Sequence, residues 1–574
     1  MQNNRQSTRG FSNERSSHSI AVGMLIGGVL SLASGIAFGA EAANGTQSSE
    51  QALPYMLAAL EVKSGQKTPS GDVIMRLGDS INLDANAQDP DVVAIQEYLN
   101  TNQLDKAVAA VEALEKRQPK SPTTFILKGA VYFAKGDRVI ARKSYEQAVA
   151  LAPKSVAAIM NLTQLDLLEN KADAARERFN TMLAADKTSL PAMLGLAGIA
   201  GATGKDAEYV SWLEKAAAAN PTAARPRVLL VNYYLKKADV RKATSIALEA
   251  QAALPNDPQV LEAVASVQSA AGENENAVVT YRKITTLDPN NEVAHYKLAT
   301  AYATNNNLGA AKTSLDRALA LRPDYLEAEI LLATTEKAAG HPAEAMKIAQ
   351  GIQKRHPSFA AGYILQGDVQ MSQKQYAPAA KAYEKALELN KITPIFVKMH
   401  QALSASGNAS EAEARLRQWV KDQPQDSLAR IYLATTYVMA NKNKLAIEQY
   451  QLVLENDPTN AGAMNDLAYL YQQEKDPRAL ATAEKAYSLQ PQVPEIMDTL
   501  GWILVEQGNT DRGVDLLKTA SEKAPSIATI RYHYVVALAK SGNKPKARQE
   551  LQSLLSRSKT FPQRAEAEAL LKQL

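Results

Sequence analysis

Six histidines are spread along the 574-residue sequence, at His18, His295, His341, His356, His400 and His533, and none stands four residues from another. A zinc protease needs two on one helical face beside a glutamate, and H-E-x-x-H is absent. Neither common glycine-rich phosphate loop occurs, nor a G-x-S-x-G turn that would raise a nucleophilic serine. Cysteine is missing altogether, which excludes disulfides, thiolate nucleophiles, cysteine-held zinc and a lipid-bearing cysteine behind a leader. Carboxylates are abundant, but on helical segments solvation is the ordinary reason for them. The sequence thus predicts no catalytic residue, cofactor or metal site, so function has to come from what the helices build.

Composition allows a large core, with 46% apolar and only 22% charged residues. A formal net charge of +4 over this length is close to neutral, and no basic run interleaves with aromatics. Nucleic-acid binding therefore has no electrostatic footprint.

The building element is legible in residues 122–153, PTTFILKGAVYFAKGDRVIARKSYEQAVALAP. Phe125, Gly129 and Tyr132 recur at helical spacing, Gly136-Asp137 breaks the run, and Ala141, Tyr145 and Ala148 resume it before Pro153. Large residues three and four apart give one buried face, and the small ones let two helices approach closely. The spacing predicts an αα-hairpin. Prolines then recur at 119, 153, 221, 255, 289, 323, 357, 424, 458, 491 and 525, in steps of 34, 68, 67 or 33. Lys187, Lys391 and Lys559 fill the remaining slots, so eleven of fourteen carry proline in a chain with 25 in all. One 33-residue step drops a residue near Lys391–Pro394, the other near Lys475-Asp476-Pro477. The glycines at 195, 198, 201 and 204 mark the fourth unit as a candidate flexible point, with tight packing as the competing reading.

A 34-residue helix–turn–helix period of this kind resembles the tetratricopeptide (TPR) repeat. Leu298, Ala299, Tyr302, Ala311 and Ala318 fit its offsets before Pro323. Tyr363, Gly367, Ala379, Tyr383 and Ala386 fit before Lys391, and Leu433, Ala434, Tyr437, Ala446 and Tyr450 before Pro458. The resemblance implies an all-α fold, an α-solenoid superhelix of about fourteen hairpins over residues 88–559, closed by a capping helix at 560–574.

Ahead of the array, a polar start with Arg5, Arg9 and Arg15 precedes a charge-free run from Ile20 to Ala40 and an A-x-A at Ala40-Glu41-Ala42. Residues 1–43 read as a signal peptide or a retained inner-membrane anchor, and either sends the repeats outward to the periplasm. Residues 44–87 read as linker and N-terminal cap, with a short helix expected at 54–62 and another short element within 71–83.

In TPR arrays the first helix of each hairpin lines the concave face. Carried onto this sequence, the inward offsets give Arg225, Val228, Asn232 and Lys236, then Tyr296, Thr300 and Thr304, then Ile364 and Asp368. Ile431 and Thr435, Asn465 and Tyr469, Asp498 and Trp502, and Tyr532 and Val536 follow. The repeated Lys and Asn of carboxylate-clamp repeats are absent. Asn232, Tyr296, Thr300, Asp368, Asn465, Tyr469, Asp498, Trp502 and Tyr532 are the expected partner-binding residues; aromatic faces flanked by amides and carboxylates suit extended peptides or sugars.

The stretches Asn465–Tyr471, Asp476–Leu480, Ala483–Tyr487, Asp498–Leu504 and Ile530–His533 resemble the closing repeats of the TPR proteins of bacterial PEP-CTERM/exosortase systems. Those proteins accompany exopolysaccharide production and are often lipoproteins; this chain lacks the lipobox cysteine and is shorter. The resemblance implies a non-enzymatic, exported scaffold whose partners are other envelope proteins or extended peptides. Direct binding of the polysaccharide, or a place in pilus or secretion assembly, are the alternatives.

Overall fold

A computed structural model describes residues 89–574, where 29 helices and no strand are found. The leader, the linker, the short helix expected at 54–62 and the short element expected within 71–83 lie outside the described residues. These divide into two compact units, 89–324 and 325–574. Each holds seven hairpins.

In the first unit, α1 (Pro90–Asn100) pairs with α2 (Leu104–Arg117), α3 (Pro122–Ala134) with α4 (Arg138–Leu151), and α5 (Val156–Leu168) with α6 (Ala172–Ala185). Then come α7 (Leu190–Ala202) with α8 (Asp206–Ala219), and α9 (Ala224–Lys236) with α10 (Val240–Ala253). The unit ends with α11 (Pro258–Ala270) and α12 (Asn274–Leu287), then α13 (Glu292–Thr304) and α14 (Leu308–Leu321). The second opens with α15 (Leu326–Ala338) and α16 (Pro342–Arg355), α17 (Ala361–Ser372) and α18 (Tyr376–Leu389), and α19 (Thr393–Ala405) and α20 (Ala409–Asp422). It continues through α21 (Ser427–Met439) and α22 (Asn443–Asn456), and α23 (Ala461–Gln473) and α24 (Arg478–Leu489). It closes with α25 (Pro494–Glu506) and α26 (Thr510–Lys523), α27 (Ala528–Lys540) and α28 (Lys544–Arg557), and the single helix α29 (Arg564–Gln573).

Each hairpin turns on one residue in the left-handed region. Seven are glycines, from Gly136 (φ 88°) to Gly542 (φ 85°). Four are asparagines, Asn102, Asn170, Asn306 and Asn441, which tolerate that backbone best among the rest. Ala238, Lys374 and Lys475 take it without such help. These positions step by 34 except at 374 to 407 and 475 to 508. The first contraction leaves three residues, 390–392, between α18 and α19; the second gives a 12-residue α24 where its neighbours have 14. Many helix starts are capped, as where Asp137 accepts from the Ile140 amide at 3.0 Å and Asp426 from the Ala429 amide at 3.0 Å.

Close helix approach is carried by rings laid over missing side chains. A Cβ on Gly129 would stand 2.3 Å from the Tyr145 ring, and one on Gly367 would stand 2.5 Å from that of Tyr383. Gly195 is covered by Phe179 in the same way within an unbroken α7, and Gly204, just past its end, is the left-handed turn residue, so two glycines of the fourth unit have packing and turn roles. Within each unit, first helices of successive hairpins approach one another more closely than second helices do. That asymmetry curves each stack with its first helices on the inside. In the second unit one continuous core runs from Ile330 to Leu504. No described helix is long and apolar enough to cross a membrane.

Gly367→Ala is expected to lower the stability of the α17–α18 hairpin by about 1–3 kcal/mol, because the ring of Tyr383 is itself fully packed. Native-state hydrogen exchange should show the loss in those two helices and their neighbours, with distant hairpins unchanged.

Candidate functional site

In α25, Ile496, Met497, Leu500, Ile503 and Leu504 face the core, which leaves Asp498 and Trp502, one turn apart, toward the first-helix side. Tyr532 and His533 stand at the matching place on α27. His533 donates from Nδ1 to both Asp498 oxygens, at 3.0 and 3.1 Å, and both side chains are buried. The Trp502 indole lies on the imidazole, ring centres 4.4 Å apart and 26° from parallel. Lys540 stands 5.5 Å over the indole and pairs with Glu506. Tyr532 is half-buried, its ring 6.4 Å from Phe561. Tyr469 of α23 is buried; burial and then the Asp498 carboxylate raise its hydroxyl well above the ordinary tyrosine value. The structure thus brings Asp498, Trp502 and Tyr532 to His533, with Tyr469 within electrostatic reach of Asp498.

Asn465 is half-buried on α23, and the carboxylate of its buried neighbour Asp466 accepts from the Tyr450 hydroxyl at 3.1 Å. Burial pushes the Asp466 carboxyl up to about 7, against the weaker pull of Tyr450 and Asn465. Asp368 is buried apart from this group, taking a 2.6 Å bond from the Tyr383 hydroxyl and a 2.7 Å bond from Lys398 Nζ. Burial raises its carboxyl, but the charges of Lys398 and Lys337 and those bonds outweigh it and leave the group below its ordinary value. On α19, His400 accepts from the Tyr432 hydroxyl at 3.0 Å, and burial drives it down to about 4, so it is neutral near pH 7.

The remaining three expected residues lie in the other unit. Asn232 is exposed on α9; Tyr296 and Thr300 are half-buried on α13, and the Thr300 hydroxyl bonds the Tyr296 carbonyl at 3.0 Å. Sequence reasoning did not single out His533, Asp466, Lys398 or Lys540. His533 carried a signal, lying one repeat and one residue beyond Asp498, the offset at which the next first helix faces it. Among the described residues no three His, Asp or Glu side chains converge as metal ligands.

The tetratricopeptide repeat pattern matches residues 93–156, 330–391, 399–461 and 499–565, and a second form of it matches 293–325. The chain belongs to the tetratricopeptide repeat proteins. Such repeats generally act as non-catalytic scaffolds that bind other proteins or peptides. The TPR repeat-containing protein PA4667 of Pseudomonas aeruginosa is 28% identical over 174 residues, covering 29% of each chain. Protein O-mannosyl-transferase TMTC1 of Mus musculus is 32% identical over 105 residues, 17% of this chain and 11% of that one. The chain therefore spans less than a third of the length of either relative. Among solved structures, yeast Tom70 aligns over 76% of this chain and 99% of its own at 16% identity and TM-score 0.39. A tetratricopeptide repeat protein from Parabacteroides merdae aligns over 43% and 98% at 19% identity and TM-score 0.37.

Asp466 gives the tetratricopeptide array a pH signature. Its native carboxyl keeps a proton that the unfolded chain releases near 3.8, so stability is highest below that value and falls as pH rises toward about 7. Asp466→Asn should remove the slope, raising stability at pH 8 by about 1–3 kcal/mol while the difference closes toward pH 4. Thermal unfolding of both proteins across that range checks it.

Proposed function

We propose that this chain is an exported scaffold of the bacterial envelope, holding other proteins or extended peptides along the first helices of its second unit. Its work is the assembly of exopolysaccharide or PEP-CTERM-type surface material. The observation that carries the reading is the gathering of Tyr469, Asp498, Trp502 and Tyr532 on the side that tetratricopeptide repeats use for partners. Export is supported by the charge-free run at Ile20–Ala40 behind a basic start. The envelope context is supported by the resemblance of residues 465–533 to the closing repeats of that family.

A protein partner is favoured over a sugar chain by one detail. The Trp502 ring is already stacked on His533, with Lys540 standing over it, so a sugar ring would have to displace existing contacts. Half-buried Tyr532 still offers a phenol edge for a hydrogen bond to a backbone.

Alkaline phosphatase fused after Leu574 reports export, since it folds only in an oxidising compartment. Active fusion, with envelope proteins co-purifying from membrane extracts, is the expected result. An inactive fusion with only cytosolic proteins retained contradicts the proposal.

A further inference from the structure

Six carboxylates are buried among the described residues: Asp166, Glu329, Glu336, Asp368, Asp466 and Asp498. Five have a cation or an imidazole against them. Asp166 holds Arg142 at 2.8 Å and also Arg178; Glu329 pairs with Arg355. Glu336 meets His341 at 2.8 Å, Asp368 meets Lys398 at 2.7 Å, and Asp498 meets His533 at 3.0 Å. Asp466 is the exception. Its partners are neutral, the Tyr450 hydroxyl at 3.1 Å and the Asn465 amide at a marginal 3.5 Å.

A second deficit adjoins it. The Asn465 Oδ1 atom is buried and accepts no hydrogen bond. An unmet acceptor shut away from water is costly, and a buried carboxyl without a counter-charge resists ionising. At one place, therefore, a buried carboxyl has neutral donors only and its neighbour's amide oxygen has none, on the half-buried residue Asn465 of first helix α23.

We infer that Asn465 and Asp466 form a socket for a basic side chain of the bound segment, an arginine guanidinium before a lysine ammonium. A guanidinium offers several N–H donors in a fixed plane, enough to serve Asn465 Oδ1 and Asp466 Oδ1 together. It also brings the positive charge that each of the other five buried carboxylates already has or can acquire from a protonated imidazole. The inference rests on the reading of this face as a partner-binding surface and names the chemistry of the partner there: a basic peptide segment.

The test uses fluorescein-labelled (Gly-Arg)5 and its citrulline counterpart, (Gly-Cit)5, which keeps the shape but loses the charge. Fluorescence anisotropy with the full-length protein at pH 8 measures binding to wild type, Asp466→Asn, Asn465→Leu and Asp511→Asn, the last an exposed carboxylate on α26 serving as control. Asp466→Asn is expected to be as stable as wild type or more so at this pH, so a loss of binding cannot be blamed on unfolding. The expected result is binding of the arginine peptide to wild type and to the control, at least about tenfold weaker binding to Asp466→Asn and Asn465→Leu, and weak binding of the citrulline peptide throughout. Four results overturn it: no binding of the arginine peptide, equal binding to Asp466→Asn, equal loss in Asp511→Asn, or citrulline binding as tight as arginine. A failed socket with envelope proteins still recovered from membranes removes this inference alone; loss of both removes the partner-binding reading with it.

Discussion

The rings of Tyr145 and Tyr383 lie where Gly129 and Gly367 have no side chain, and this close contact sets the distance between the two helices of a hairpin. At that distance two helices of 13 and 14 residues expose more apolar surface than they can cover for each other. Ile330, Ile364, Phe396 and Leu433, each on the first helix of a successive hairpin, belong to one buried cluster that runs from hairpin to hairpin. Stability is therefore a sum over neighbours, and a polar residue on a first helix is judged by what the adjacent hairpin places against it.

That constraint explains why the fold could be read so fully. The proline slots and the glycines of the turns are backbone requirements, and backbone requirements are written in residue type. The signal weakened where the left-handed turn position is held by Ala238, Lys374 or Lys475, none of which announces that conformation. The two contracted steps were visible as arithmetic, but the one expected in the turn at Lys475-Asp476-Pro477 falls in the second helix: α24 has 12 residues, and its turn, 474–477, is not shortened.

The site was legible in direction and not in depth. Repeat offsets say which way a Cβ points, and they placed Asp498, Trp502 and Tyr532 near one another. They do not say what the following hairpin lays over them. Asp368 is occupied by Lys398 thirty residues on, and Asp498 by His533 thirty-five on; both pairs cross between hairpins, so no single repeat contains them. Asp466 was hidden for a similar reason. Its chemistry comes from Tyr450 of the preceding hairpin and from the lack of a cation, which only the packed structure displays.

The central claim is that first helices, and not second helices, receive the partner. Because the natural chain contains no cysteine, one introduced at Gln473 or Glu506 on first helices, or at Lys485 or Lys518 on second helices, is its only thiol; all four positions are exposed. The rate of maleimide modification of full-length protein, with and without a solubilised envelope extract, measures which face is covered. Slowing at Gln473→Cys and Glu506→Cys with unchanged rates at Lys485→Cys and Lys518→Cys is the predicted result. Slowing confined to the second-helix positions would contradict it.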